Sequence, residues 1–217
     1  MKILALSDSV VAGVYSQNIC RKYPDVDFVI GCGDLPYYYL EYVVTMLPVD
    51  LYYVHGNHDK PQVMSGGETI NEPRGCISLE DRSVSVGNII LAGLGGSMRY
   101  SSGSSYQFTD SQMRQRVLRL IPYLMANKVR YGRYLDILVT HSPPSGIHDA
   151  SDLPHTGFTG FLSLMRMFKP RLMLHGHMHV YRKSTVTTST YQQTTIMNVY
   201  PERLIEWDDE ANDVILD

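Results

Sequence analysis

The chain has 217 residues, 44% apolar and 19% charged, enough to bury a substantial core as one domain over 1–217. A formal net charge of −3 argues against any general attraction to nucleic acid or anionic lipid. The cysteines, Cys20, Cys32 and Cys76, show no CxxC spacing, which fits reduced thiols in the cytoplasm rather than a disulfide framework.

In chain order, Lys2–Ser7 reads as a buried strand, its apolar run too short for a signal peptide or a membrane span. Tyr15–Tyr23 reads as a short helix and Val26–Ile30 as a second strand, followed by Gly31-Cys32-Gly33-Asp34. Cys32 is expected to be a small buried residue. Pro36–Leu47 is helical, with Pro36 suited to the first turn, and Leu51–Val54 is a strand running into His55-Gly56-Asn57-His58-Asp59. This strand–helix alternation predicts a parallel sheet. Pro61–Gly75 reads as a polar loop, Ile77–Leu94 as strands broken at the Gly87-Asn88 turn, and Gly93–Ser105 as a mobile Gly- and Ser-rich loop. A helix over Asp110–Met125 is capped by Thr109 or Asp110. Leu135–Thr140 is a strand ending at His141, Pro143–Thr156 a long loop, and Phe158–Phe168 a helix stopped by Pro170. Arg171–Leu174, Val180–Thr188, Thr194–Val199 and Arg203–Trp207 complete the strands, mostly antiparallel. Together these elements predict an α/β chain with two packed β-sheets flanked by helices.

Loops at the carboxyl ends of strands converge on one crevice in such folds. Asp8, Asp34, Asn57, His58, His141, His177 and His179 all fall on such loops. The mixed carboxylate, amide and imidazole set suits Mn²⁺, Fe or Zn²⁺ better than Ca²⁺ or a thiolate-bound metal. Two cations roughly 3.5–4 Å apart, bridged by a carboxylate such as Asp34, activate a hydroxide and clamp a phosphoryl group. Each residue also has a plainer role: Asp34 or Asp8 as a cap, Asn57 as a turn residue, the histidines as loop residues. Their joint placement after successive apolar strands favours a site.

Gly33-Asp34, Gly56-Asn57-His58-Asp59, His141 and Gly176-His177-Met178-His179 occur in the order of the calcineurin-like metallophosphoesterases, and the chain resembles that family from Asp8 to the Asn198 region. The resemblance implies an α/β/β/α sandwich and a metal-dependent phosphoester hydrolase. It implies that Asp34 bridges two divalent cations, that Asn57, His141 and His177 complete the second site, and that Asp8 and His179 serve the first. His58 would contact the phosphate and protonate the leaving group, tuned by Asp59; an acid of this kind contributes about 10²–10⁴-fold.

One position departs. The family carries Asp-x-His where this chain has Asp8-Ser9-Val10, and valine has no donor atom. Water fills the gap, another side chain (His148, Asp149 or His155) reaches in, or one metal alone binds tightly; a first site of lower affinity that still fills is the expectation. His155 is the loop histidine assigned to the pocket, His55 and His175 are expected to pack beneath the site because side chains alternate along a strand, and Tyr37, Tyr38 and Tyr39 are expected to pack along a helix face. Leu35-Pro36-Tyr37 after Asp34 is unlike the continuation in the family's Ser/Thr protein phosphatases, which leaves a small phosphodiesterase or phosphomonoesterase acting on a soluble phosphoester or nucleotide, with phosphodiesterase preferred. A non-catalytic binding scaffold is the competing reading, since Val10 is a step toward it. The basic run Arg114, Arg116, Arg119, Lys128, Arg130, Arg133 is read as a solvated helix face rather than a nucleic-acid contact.

Overall fold

A computed structural model describes residues 1–63, 66–103, 105–182 and 184–215. The expected loops over 61–75 and 93–105 and the expected strand over 180–188 each contain positions (64–65, 104 and 183) outside the described residues. From the N-terminus come β1 (Lys2–Leu6), α1 (Ile19–Lys22), β2 (Phe28–Cys32), α2 (Tyr37–Met46), β3 (Leu51–Val54), β4 (Gln62–Val63), β5 (Thr69–Ile70) and β6 (Ile77–Ser78). Next are β7 (Ser83–Val86), β8 (Ile89–Leu94), β9 (Ser97–Met98), β10 (Gln107–Phe108), α3 (Asp110–Tyr131) and β11 (Ile137–Thr140). A 3-10 turn over Leu153–His155 leads to α4 (Thr159–Phe168), β12 (Leu172–His175), β13 (Thr188–Tyr191), β14 (Thr194–Asn198), β15 (Glu202–Asp208) and β16 (Asp213–Ile215).

Among the described residues these strands form two main sheets, ordered β16-β15-β1-β2-β3-β6 and β13-β14-β12-β11-β8-β7. Period-two alternation builds the layers. Ile3 and Ala5 of β1, Ile89 and Leu91 of β8, Ile137 and Val139 of β11 and Leu172 and Leu174 of β12 meet in one core between the sheets. Their neighbours face outward: Leu4 and Leu6 pack under α1 and α2, whereas Ile90, Leu138 and Met173 pack under α3 and α4. The result is the α/β/β/α sandwich that the pattern predicts.

Several boundaries differ. The helix expected from Tyr15 begins only at Ile19, because residues 11–15 close as turns (Tyr15 N–H to Val11 O, 2.8 Å). The Tyr15 ring instead packs on Tyr42, at 4.5 Å between centroids. Strand β2 starts at Phe28 rather than Val26. Helix α3 outruns its expected end at Met125, running through Pro122 and ending at Gly132, which caps it at φ 76°. Its start is a capping box in which Thr109 Oγ1 accepts from Gln112 N–H (3.2 Å) and Gln112 Oε1 accepts from Thr109 N–H (2.9 Å). The polar loop holds the β4–β5 ribbon. Thr- and Val-rich 180–187 is not strand among its described residues: Thr185 N–H turns back to Arg182 O (3.0 Å), and pairing begins only at Thr188. Propensity without a partner strand does not make a sheet. The second half is also less antiparallel than expected. Strands β8, β11, β12 and β14 pair in parallel: the α3 and α4 crossovers return β11 and β12 in the direction of β8, and β13, antiparallel to β14, turns the chain back before β14.

The basic run is not wholly solvated. Arg116 is 6% exposed; it donates to Asp81 (2.7 Å), Gly95 O (2.6 Å) and the Glu80 carboxylate. Glu80 lies where the chain crosses from β6 in one sheet to β7 in the other, and also accepts from His55 N–H (2.7 Å). Burial alone would raise its pKa, but His55 and Arg116 hold it down to about 2. A carboxyl depressed in the fold stabilises it above the unfolded pKa, and that contribution is lost as pH falls through the folded value. Glu80→Gln is therefore expected to cost about 3 kcal/mol near neutral pH, as buried pairs do when broken. In urea unfolding, wild-type and variant stabilities should converge as pH drops from about 4.5 toward 2, since 4.5 is the ordinary value and 2 the folded one.

Candidate metal centre

The carboxyl ends of β1, β2 and β3 in one sheet and β11 and β12 in the other meet at one rim. There the backbone turns through left-handed conformations at Asp8 (φ 61°), Gly33 (φ 89°), Asp34 (φ 54°) and His177 (φ 64°). Asp and His tolerate this region better than β-branched residues do. Asp34 does not cap α2, whose N-terminus has no side-chain cap; its Oδ1 accepts from His58 N–H (2.7 Å) and its Oδ2 lies 3.3 Å from His141 Nε2.

His141 is fully buried. Its Nδ1 lies 2.8 Å from Cys32 O, an atom that only accepts, so Nδ1 carries the hydrogen. His177 Nε2 donates in the same way to Pro154 O (2.8 Å). In neutral rings this leaves lone pairs on His141 Nε2 and His177 Nδ1, which face each other at 3.1 Å. Asn57 Oδ1 stands 3.0 Å from His141 Nε2, and the Asn57 amide Nδ2 donates to Tyr100 OH (3.2 Å). With both rings neutral, Asp34 Oδ2, His141 Nε2 and His177 Nδ1 point lone pairs at one place, and such a cluster requires a positive charge at its centre. Burial alone would lower the His141 pKa, but the adjacent Asp34 and Asp8 carboxylates push it well above the usual imidazole range. A divalent cation meets the same need, and carboxylate, amide oxygen and two imidazoles are donors it accepts. The ligand atoms of Asp34, His141 and His177 all lie within 4.8 Å of one another, so this donor set fits a metal. Burial, with His141 nearby, lowers His177 to about 4, which keeps its ring neutral.

Beside this cluster, Asp8 accepts from His177 N–H (2.9 Å) and from the Ser7 hydroxyl, and lies 3.5 Å from His179 Nε2. His179 stacks on Tyr200 at 4.7 Å and its Nδ1 meets Tyr181 OH at 2.9 Å. Val10 is 38% exposed. His58 is exposed and lines, with Asp34 and Asp59, a cavity of about 230 Å³. Asp59 faces the backbone rather than the His58 ring: its Oδ2 accepts from Gly56 N–H (2.8 Å) and Asp34 N–H (3.2 Å). Burial, followed by the charge of Asp34, raises its pKa to about 6.

The other singled-out residues are placed as follows. His155 pairs with Asp152 (2.5 Å) and its ring lies 5.1 Å from that of His177. Asp149 accepts from Gly146 and Gly157 N–H, which ties the loop to itself. His148 bonds His175 Nε2 and Ser189 Oγ, each at 2.9 Å. His175 is buried beneath the rim, as is His55, whose Nδ1 lies 3.4 Å from Glu80. Tyr37 and Tyr39 are buried and Tyr38 exposed. Cys32 is buried and free. Sequence reasoning missed Tyr100, Glu80, Ser7 and the Pro154 carbonyl. A backbone carbonyl leaves no trace in residue type, and Tyr100 is reached only through tertiary folding.

The family model for calcineurin-like phosphoesterases matches residues 1–181, and the chain belongs to that family. Among solved structures, TT1561 of Thermus thermophilus superposes with a TM-score of 0.61 at 14% identity, covering 99% of this chain and 96% of that one. A second solved chain gives 0.64 at 10% identity over 100% and 98%. A Vps29 single mutant from Entamoeba histolytica gives 0.45 at 12% identity over 96% and 87%. For the first two of these chains, the likeness at these identities is one of fold. Comparison with curated proteins gives no match.

Gly56 packs directly against the bridging candidate, since a Cβ there would stand 2.1 Å from Asp34 Oδ1. Gly56→Ala is expected to displace Asp34 and weaken Mn²⁺ or Zn²⁺ binding by more than about tenfold in titration calorimetry. Gly66→Ala, whose Cβ meets nothing within 4 Å, should bind as wild type does.

Proposed function

We propose that residues 1–217 act as one domain, a metal-dependent phosphoester hydrolase that cleaves small soluble phosphodiesters or nucleotides. The observation that carries this reading is the convergence of Asp34, His141 and His177, whose two imidazole tautomers are set by backbone carbonyls. In this reading Asp34 would be shared by two divalent cations (Mn²⁺, Fe or Zn²⁺), Asn57, His141 and His177 would complete the second site, and Asp8 and His179 would serve the first. Such cations, when bound, supply Lewis acidity and acidify an attacking water.

The chain's own groups do the rest. His58, exposed at the cavity edge, meets the phosphate and protonates the leaving oxygen. Its backbone is fixed by the bond from its N–H to Asp34. Asp59 supports it by bracing the turn from Gly56 to Asp59 rather than by touching the ring. His177 is kept neutral by burial, so its Nδ1 is free to coordinate. The free cysteines support a reducing compartment, the cytoplasm. Among the described residues no helix is long and apolar enough to cross a membrane.

Val10 favours a second reading, a scaffold with the fold but little catalysis. Turnover separates the two. His58→Ala should lower kcat on bis(4-nitrophenyl) phosphate with Mn²⁺ by about 10²–10⁴-fold while metal binding persists; wild-type turnover no faster than this variant, across several metals, would favour the scaffold. Titration calorimetry should resolve two unequal metal sites. Val10→His, which restores a donor beside Asp8, should tighten the weaker one by about tenfold and leave the tighter one unchanged. One stoichiometric site that supports full activity would contradict this.

A further inference from the structure

The cavity beyond His58 continues past the reacting centre. Besides Asp34, His58 and Asp59, Pro36, Tyr37, Lys60 and Gln62 line it. Three features give it a chemical preference. Pro36 offers an apolar side, backed by the buried Tyr37, whose hydroxyl is already committed to Asn71 O (2.8 Å). Lys60 is exposed, and among the described residues no carboxylate forms an ion pair with it, whereas Arg74 is paired with Glu68 (2.8 Å). Pro61 follows Lys60 directly and disfavours helical backbone there, which fixes where the lysine stem departs. The first turn of α2 has no acidic residue, and the carboxylates that line the cavity, Asp34 and Asp59, are engaged by the backbone N–H groups of His58, Gly56 and Asp34.

We infer that this cavity holds the leaving half of the substrate and selects leaving groups with a negative charge of their own, received by Lys60. The inference rests on the phosphoesterase reading, because His58 defines which side the leaving group departs from. The substrate class is then a phosphodiester whose departing alcohol also bears a phosphate or carboxylate, with an apolar part against Pro36. Gln62 supplies an amide beside it. Lys60 is a specificity residue; it does not act on the reacting bond.

The test compares two chromogenic diesters, phenyl 4-nitrophenyl phosphate and the analogue whose nitrophenyl ring also bears a carboxylate, each assayed with Mn²⁺ for wild type, Lys60→Met, Lys60→Glu and Lys169→Met. Taking the ratio of kcat/KM for the two esters, and comparing it between proteins, cancels their intrinsic reactivity. One charge-assisted contact predicts that the anionic-to-neutral ratio falls about tenfold in Lys60→Met and further in Lys60→Glu, with the change mainly in KM. Lys169→Met, an exposed cation lining a different cavity, should keep the wild-type ratio. A ratio unchanged by Lys60→Met, or lowered equally by Lys169→Met, overturns the inference and leaves the phosphoesterase reading standing. If wild type hydrolyses neither ester with any metal, both fall.

Discussion

The imidazole of His141 is held by both sheets at once. It leaves the end of β11 in one sheet, and its Nδ1 is bonded to the Cys32 carbonyl at the end of β2 in the other (2.8 Å). The same pattern recurs around it. Asp34 and Asn57 come from the β1–β2–β3 sheet and meet His141 and His177 from the opposite one; Asp8 receives the His177 N–H across the same seam. The inner faces of both sheets are apolar, so the seam is sealed by hydrophobic contact along its length. At the rim it ends in polar groups that face one another. The candidate centre therefore exists only when the two sheets are packed in register, and folding and site assembly are one event.

Strained backbone is the local device that turns extended strands into a ring of converging side chains. An extended strand sends successive side chains to opposite faces, so consecutive rim residues would diverge. Left-handed turns at Asp8, Asp34 and His177 redirect the chain within one residue. They also aim backbone N–H groups inward, as His58 and His177 show in donating to Asp34 and Asp8. Such conformations cost of order 1–3 kcal/mol each for non-glycine residues and persist where surroundings over-determine them. Glycines keep the room clear. A Cβ on Gly33 would meet Gly56 N at 2.5 Å, and one on Gly176 would meet Ser7 Oγ at 1.7 Å.

Much of this was legible because two kinds of signal coincide. The apolar runs of β1, β3 and β11 are buried on both faces, and their ends are marked by Asp, Asn or His. The layers and the rim follow from that. What the sequence hid depended on distant partners. Segment 180–187 has the composition of a strand, but pairing starts only at Thr188. Arg116 looks like one more solvated arginine of α3 until Glu80 and Asp81, some 35 positions away in the chain, close over it. The tautomers of His141 and His177 depend on the carbonyls of Cys32 and Pro154, which any residue type could have provided. Residue identity marks what can coordinate, whereas the hydrogen that leaves the coordinating nitrogen bare is a property of the fold.

The two halves of the rim are built differently, and Val10 accounts for only part of the difference. His141, His177 and Asn57 are all buried; backbone carbonyls hold the two rings, and Tyr100 accepts from the Asn57 amide. His179 has 42% of its side chain exposed and is steadied by Tyr200 beneath it and by Tyr181, itself 81% exposed. Asp8 is well fixed, but the His179 side of the pair is not. A donor set that is preorganised gives up little conformational entropy on binding a cation, and a mobile imidazole gives up more. On the two-cation reading proposed above, weaker binding on the Asp8–His179 side would have two separate causes, a missing donor at position 10 and a more exposed one at position 179, and restoring the first would leave the second in place.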